Sequence, residues 1–266
     1  MASIAFSLRY FPVNFALTDL TLPMKFNGHS FKYGVCLFAL LAAFSKASEL
    51  PGLALDQVGL PEFQMASGEK LCSGKAFAVR WYRGRNLLLM PLHLLSPEAG
   101  YSKYLGPGDL GREVSQLQVF DLSKRSILTV AGKPLLKSGA STAQATGSMS
   151  GDLMVFDLYS SSRLTPFDLF FGLAPAGTKV TILSKADESS SSLTSYRGTI
   201  TGASRTGLII KLNYPLTALS SSGAPVVDAQ NKVVGMVVGV EDDARTIIVA
   251  IPSSTMISRI YADIGK

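Results

Sequence analysis

The chain has 266 residues, 47% of them hydrophobic and only 17% charged, which excludes a disordered protein and allows a real core, as one domain of two packed halves or as two small domains. Its formal charge of +6 is not gathered into a cluster of Lys and Arg interleaved with aromatics, so it offers no footprint for nucleic acid. With 2 Cys and 2 His in all, a zinc site has almost no candidate ligands, and no metal or cofactor is expected.

The first 47 residues read as a targeting segment. Met24-Lys25 opens a short basic stretch ending at Lys32, residues 33–44 form an apolar run of secretory-signal length, and Ser45-Lys46-Ala47 supplies the small residues a signal peptidase reads. Cleavage after Ala47 and export to the periplasm or the medium are expected. The competing reading is a single membrane anchor, but residues 33–44 span too little of a bilayer, so the mature form carries no stable membrane span. Arg9, Lys25, Lys32, Lys46 and Asp19 would leave together, lowering the charge from +6 to +3. Cys36 would leave with them, and an exported chain with only Cys72 rests on its core rather than on a disulfide.

Residues 48–70 are read as an N-terminal extension. Beyond them, short runs of Val, Ile, Leu and Thr broken by Gly, Ser and Pro favour an all-β chain. Strands are predicted at 75–82 and 86–91 around an Arg83-Gly84-Arg85 turn, with His93 just past the second. Residues 98–113 read as a surface excursion, 114–122 and 127–136 as a hairpin, 137–151 as a loop of small polar residues, and 152–158 as a buried strand opening with Asp152. A linker at 160–166 separates a second half with strands at 179–183, 195–203, 208–212, 224–227, 233–240 and 246–251. Met256, Ile257, Ile260 and Ile264 fall at helical spacing behind Ser and Thr capping candidates, so a short helix closes the chain.

The stretch that carries chemistry is Ser220-Ser221-Ser222-Gly223-Ala224-Pro225, a tight turn ahead of apolar strands. Such a turn aims successive backbone N–H groups into one small space where an oxyanion can form. A serine hydroxyl needs a base to take its proton and an acid to hold that base in the right tautomer. His93 is the only histidine left once the targeting segment is gone, although a histidine flanked by leucines is also a common packed core residue. Asp152, at the start of a buried strand, is the best acid candidate, with a strand-start cap as its plainer role. Asp157 points to the opposite face of that strand, and Asp121 and Asp168 sit beside a turn and the linker.

Six segments fall in order: Ser73-Gly74-Lys75-Ala76-Phe77-Ala78-Val79, Met90-Pro91-Leu92-His93, Asp152-Leu153-Met154-Val155-Phe156, the serine turn, Val233-Val234-Gly235-Met236 and Ile248-Val249-Ala250-Ile251-Pro252. Over about residues 70–262 this series resembles the chymotrypsin-fold (trypsin-like) serine peptidases, nearest their HtrA-like (Deg) branch and without a PDZ domain. The resemblance implies two six-stranded antiparallel Greek-key barrels, at 71–160 and 161–252, followed by a short C-terminal helix at 253–266. It implies Ser222 as nucleophile, His93 as general base and then acid, Asp152 as orienter of the imidazole, and the backbone of Ser220, Ser221 and Ser222 as oxyanion hole. A polypeptide substrate would lie with its primary side chain against Leu216, Thr217, Val238, Gly239 and Val240. Those walls are mostly apolar and lack an acid, so a small or medium aliphatic residue is expected there.

The chain departs from the family at three places. Ser220 stands where the family has glycine, Ala224 replaces a second glycine, and Pro91-Leu92 replaces small residues before the histidine. These departures keep open a catalytically inactive homologue that acts as a binding or scaffold protein on the same fold. An esterase would use the same residues, but esterases place serine on an elbow between a strand and a helix, whereas β-strand signals follow this one.

Overall fold

Aliphatic runs that alternate between two apolar environments set the architecture. On the strand Asn86–Met90, Leu88 and Met90 face the interior of one barrel, while Leu87 and Leu89 face the second half of the chain. On Ala76–Arg80, Ala76 and Ala78 turn inward, and Phe77 and Val79 turn outward to the same shared core. Strands buried on both faces read as continuous hydrophobic runs, which is how they appear in the sequence. Each fully buried Leu or Phe contributes about 1.5–3 kcal/mol relative to exposure.

The computed structural model describes residues 55–106, 108–136, 149–217 and 220–265, and the expected targeting segment and its cleavage point lie outside them. Among the described residues fourteen strands follow in order. In the first half they are β1 Val58–Met65, β2 Lys70–Cys72, β3 Ala76–Arg80, β4 Asn86–Met90, β5 Val114–Phe120, β6 Ile127–Pro134 and β7 Met154–Leu158. In the second they are β8 Asp168–Leu169, β9 Lys179–Lys185, β10 Leu193–Ala203, β11 Leu208–Leu212, β12 Pro225–Val227, β13 Lys232–Val240 and β14 Ile247–Pro252.

The first sheet closes through β1-β3-β4-β7-β6-β5 and back from β5 to β1, a six-stranded antiparallel barrel. Here β2 continues the line of β3 alongside β1, with a break at Ser73-Gly74-Lys75. The second closes through β9-β10-β11-β14-β13-β12, and β8 adds a short parallel contact to β13. The described residues of both barrels fall in one compact unit. Between them, Phe77, Leu89 and Val155 pack with Val227, Met236 and Ile251.

The first barrel begins at Val58, inside the segment read as an extension at 48–70. That strand contains Pro61, a residue ordinarily kept out of paired strands. Pro61 is tolerated because it sits where the neighbour of β1 changes from β3 to β2, a place where no ladder donor is needed on that side. The linker expected at 160–166 is tied down rather than free. Arg163 N–H donates to Leu128 O at 2.8 Å and Phe167 N–H to Ala78 O at 2.9 Å, and the Phe167 ring meets Phe77 edge-on at 6.1 Å.

The closing helix, Ser253–Ile264, sets Met256 and Ile260 against the core between the barrels. Its first residues do not cap it through their side chains; Ser253 Oγ instead donates to Phe170 O at 2.8 Å. Among the described residues no helix is long and apolar enough to cross a membrane.

Candidate active site

Strand pairing brings His93 and Asp152 together. Met90 at the end of β4 is registered against Met154 at the start of β7, so residues just past one and just before the other emerge at the same end of the barrel. His93 lies in a buried 3-10 turn, Leu92–Leu95, and is 8% exposed. Asp152 follows another 3-10 turn, Met149–Gly151, and is fully buried. Its Oδ2 stands 2.5 Å from His93 Nδ1, while Oδ1 accepts the His93 backbone N–H at 2.8 Å. Ser96 Oγ holds the His93 carbonyl from the other side at 2.7 Å.

Both carboxylate oxygens are thereby committed to one residue, and Nδ1 carries the proton toward Asp152. The other ring nitrogen, Nε2, is left as an acceptor. Burial by itself would lower the imidazole pKa, but the charge and hydrogen bond of Asp152, helped by Glu98, outweigh it and raise it above 6.5.

The serine turn comes from the second barrel and packs against this same end. Lys75 N–H donates to Ser222 O at 2.7 Å, and Gly223 N–H donates to Val237 O at 2.8 Å. Gly223 has φ +88°, and a Cβ there would stand 2.0 Å from the Lys75 carbonyl oxygen and 2.9 Å from Pro91 Cδ. Pro91 is two residues before His93, so the turn is wedged between the β2–β3 break and the histidine turn. Ser222 is half-buried, and among the described residues no hydrogen bond joins its hydroxyl to the imidazole.

Ser221 is turned away from that opening. It is buried, with its hydroxyl 3.0 Å from that of Ser184 on β9. Ser220 presents its N–H to Glu188 Oε1 at 2.8 Å.

No protein-family model and no curated protein matches the sequence. Solved structures do. The Rv3671c protease of M. tuberculosis in its active form superposes with a TM-score of 0.54 at 14% identity, over 79% of this chain and 81% of that one. The thermostable serine protease AL20 from an extremophilic microorganism gives 0.55 at 14% identity over 79% and 98% of the two chains. Protease Anisep from Arthrobacter nicotinovorans gives 0.55 at 14% over 77% and 94%. The fold is chymotrypsin-like.

Within this chymotrypsin-like frame the remaining predicted residues scatter. Leu216 is fully buried in the core of the second barrel and backs a wall rather than lining it. Thr217 is exposed, with its hydroxyl 2.7 Å from Tyr196 Oη and also bonded to Ala186 O. Val238 and Val240 are half-buried against the two cores, and the space over Gly239 is open to any added side chain. Arg245, absent from the sequence reading, donates from Nη1 to Thr217 O at 3.2 Å. Of the weaker acid candidates, Asp157 pairs with Arg85 at 2.6 Å and Asp168 with Arg80 at 2.9 Å. Asp121 closes its hairpin by accepting from Ser123 Oγ at 2.7 Å.

Sequence reasoning missed Lys75 and Glu188. Lys75 is fully buried, and its Nζ donates to Ser220 O at 2.7 Å. Burial pushes its pKa down to about 8, against the pull of the Glu188 carboxylate. A lysine at the head of the Ala76-Phe77-Ala78-Val79 run was a visible signal. Glu188, in a serine-rich loop, gave none.

Proposed function

We propose that the protein is a serine endopeptidase that hydrolyses peptide bonds through Ser222, His93 and Asp152, of the HtrA-like kind and exported after cleavage near Ala47. The observation that carries this reading is the Asp152–His93 pair at the end of the first barrel, with the Ser222 turn of the second barrel packed against that end. Ser222 Oγ attacks the peptide carbonyl carbon as its proton passes to His93 Nε2. The carbonyl oxygen becomes an oxyanion facing the backbone N–H groups of Ser220 and Ser222. Collapse breaks the C–N bond, His93 returns the proton to the leaving amine, and an acyl-Ser222 ester remains. A water molecule then gives its proton to His93 and attacks the ester, releasing the acid and restoring both side chains. Asp152 stays a carboxylate throughout and holds the imidazolium that forms.

Digestion of a peptide library tests this. Cleavage after small or medium aliphatic residues, lost in Ser222→Ala, supports the proposal, whereas a folded protein that cleaves nothing overturns it. Cleavage after Asp or Glu would put Arg245 rather than the apolar wall in charge of the pocket. A second reading, an inactive homologue that binds peptides, is favoured by one observation: the Ser220 N–H already has a carboxylate partner. Peptide binding without cleavage would decide for it.

A further inference from the structure

The loop joining β9 to β10 delivers a carboxylate to the serine turn. Besides the Ser220 N–H at Glu188 Oε1, the Ser220 hydroxyl donates to Glu188 Oε2 at 2.8 Å and stands 3.0 Å from Oε1. Glu188 is exposed, so burial does not force it there. Cations hold it. Lys185 Nζ donates to the backbone carbonyl of Glu188 at 2.7 Å, and Lys75 Nζ donates to Ser220 O at 2.7 Å and to Ser220 Oγ at 3.3 Å. Ser220 thereby bridges a buried ammonium and a carboxylate. Asp187 stiffens the loop by accepting the N–H groups of Ser189 and Ser190, each at 2.8 Å. Although burial opposes it, the two Ser220 hydrogen bonds and the charges of Lys75 and Lys185 keep the Glu188 carboxyl below its usual range.

A backbone N–H satisfies one strong acceptor at a time. Glu188 Oε1 and the oxyanion of an acyl-transfer intermediate are both negative oxygens seeking the Ser220 donor, so they exclude one another. We infer that Glu188 is an internal occupant of the oxyanion hole, which keeps the enzyme latent until the carboxylate withdraws, and that Lys75 positions the Ser220 turn on which both depend. This rests on Ser222 being the nucleophile. Because Glu188 borders water, its withdrawal is compensated by hydration, which makes the contact a gate that substrate can open. The side chain at Ser220, where the family has glycine, then has a use: its hydroxyl gives the gate a second hydrogen bond.

The test compares second-order labelling rates with an alkyl fluorophosphonate for the wild type, Glu188→Ala and Glu188→Gln, each checked for unchanged thermal melting. A charge-assisted hydrogen bond lost from the resting state predicts labelling roughly tenfold faster in Glu188→Ala. Glu188→Gln, whose amide oxygen accepts without charge, falls between. A wild type that labels as fast as both folded variants, or faster, overturns the inference. If nothing labels, the peptidase reading fails and latency falls with it. Proton–nitrogen spectra of the Ser222→Ala protein report the contact separately, without catalysis: the Ser220 amide proton should move upfield on adding Glu188→Ala, and an unmoved resonance overturns the contact itself.

Discussion

Replacing Gly223 by alanine puts a methyl group where the two barrels interlock. The residue has φ +88°, and its Cβ would lie 2.0 Å from a backbone oxygen of Lys75 that cannot step aside. Holding a non-glycine residue in the left-handed region costs about 1–2 kcal/mol. Relieving the overlap means lifting the turn from the first barrel, which breaks the Lys75 N–H bond to Ser222 O and strains that of Gly223 N–H to Val237 O. Each of those is worth about 0.5–1.5 kcal/mol, for a total near 2–5 kcal/mol. Gly177 is a matched control: its φ is +90°, yet nothing lies within 4 Å of an added Cβ. Gly177→Ala should therefore lose only the backbone share. At about 2–4 °C per kcal/mol for a chain of this size, calorimetry should find Gly223→Ala melting roughly 5 °C below Gly177→Ala. Fluorophosphonate labelling should fall in the first and persist in the second. Equal melting temperatures and equal labelling would refute the claim that this turn is wedged against the histidine end of the first barrel.

Asp152→Asn keeps the volume and an acceptor for the His93 N–H but turns an amide toward Nδ1. Labelling should fall by about 10⁴-fold, and the imidazole pKa, with burial now unopposed by that charge, should drop below that of the wild type in an NMR titration. In the wild type, His93 must be neutral to accept a proton and its pKa is raised, so kcat/KM for a peptide should climb with pH through a midpoint above 6.5; a midpoint below 6.5 would contradict the Asp152 pairing. The same shift acts on stability in the opposite sense: the His93 contribution is complete below pH 6.5 and is lost as pH rises through the folded-state pKa. Lys75, lowered from 10.5 to about 8, makes the fold gain up to about 3 kcal/mol between those pH values, and Lys75→Met should lack that rise in a melting-temperature profile.

Much of this architecture was legible because strands and turns announce themselves locally. The hairpin of β5 and β6, the β-runs of the second barrel and the closing helix all carry their own periodicity, whereas the two-barrel closure was expected only from the resemblance, because the β1–β5 and β12–β9 pairings that close the sheets are non-local. β1 lay inside the segment read as an extension, and its Pro61 fits a strand only because β2 and β3 divide the length of β1 between them, a long-range pairing that no local pattern encodes. The His93–Asp152 pair could be nominated because the chain holds so few histidines, but their meeting depends on the β4–β7 register, which no local pattern encodes. The engagement of Ser220 by Glu188 was out of reach for the same reason. It spans 32 positions and joins two loops whose composition says only that they are polar. The pocket residues fared least well, since Leu216 and Gly239 read alike as apolar while one is buried and the other borders open space.

The most direct measurement is the mass of the intact protein after incubation with a fluorophosphonate, followed by mapping of the adduct. A single adduct on Ser222, formed at a rate that collapses in His93→Ala, is the predicted result. A folded protein that takes up no reagent, or takes it up on another serine with His93→Ala unaffected, would contradict the assignment of this serine and this histidine to one reaction.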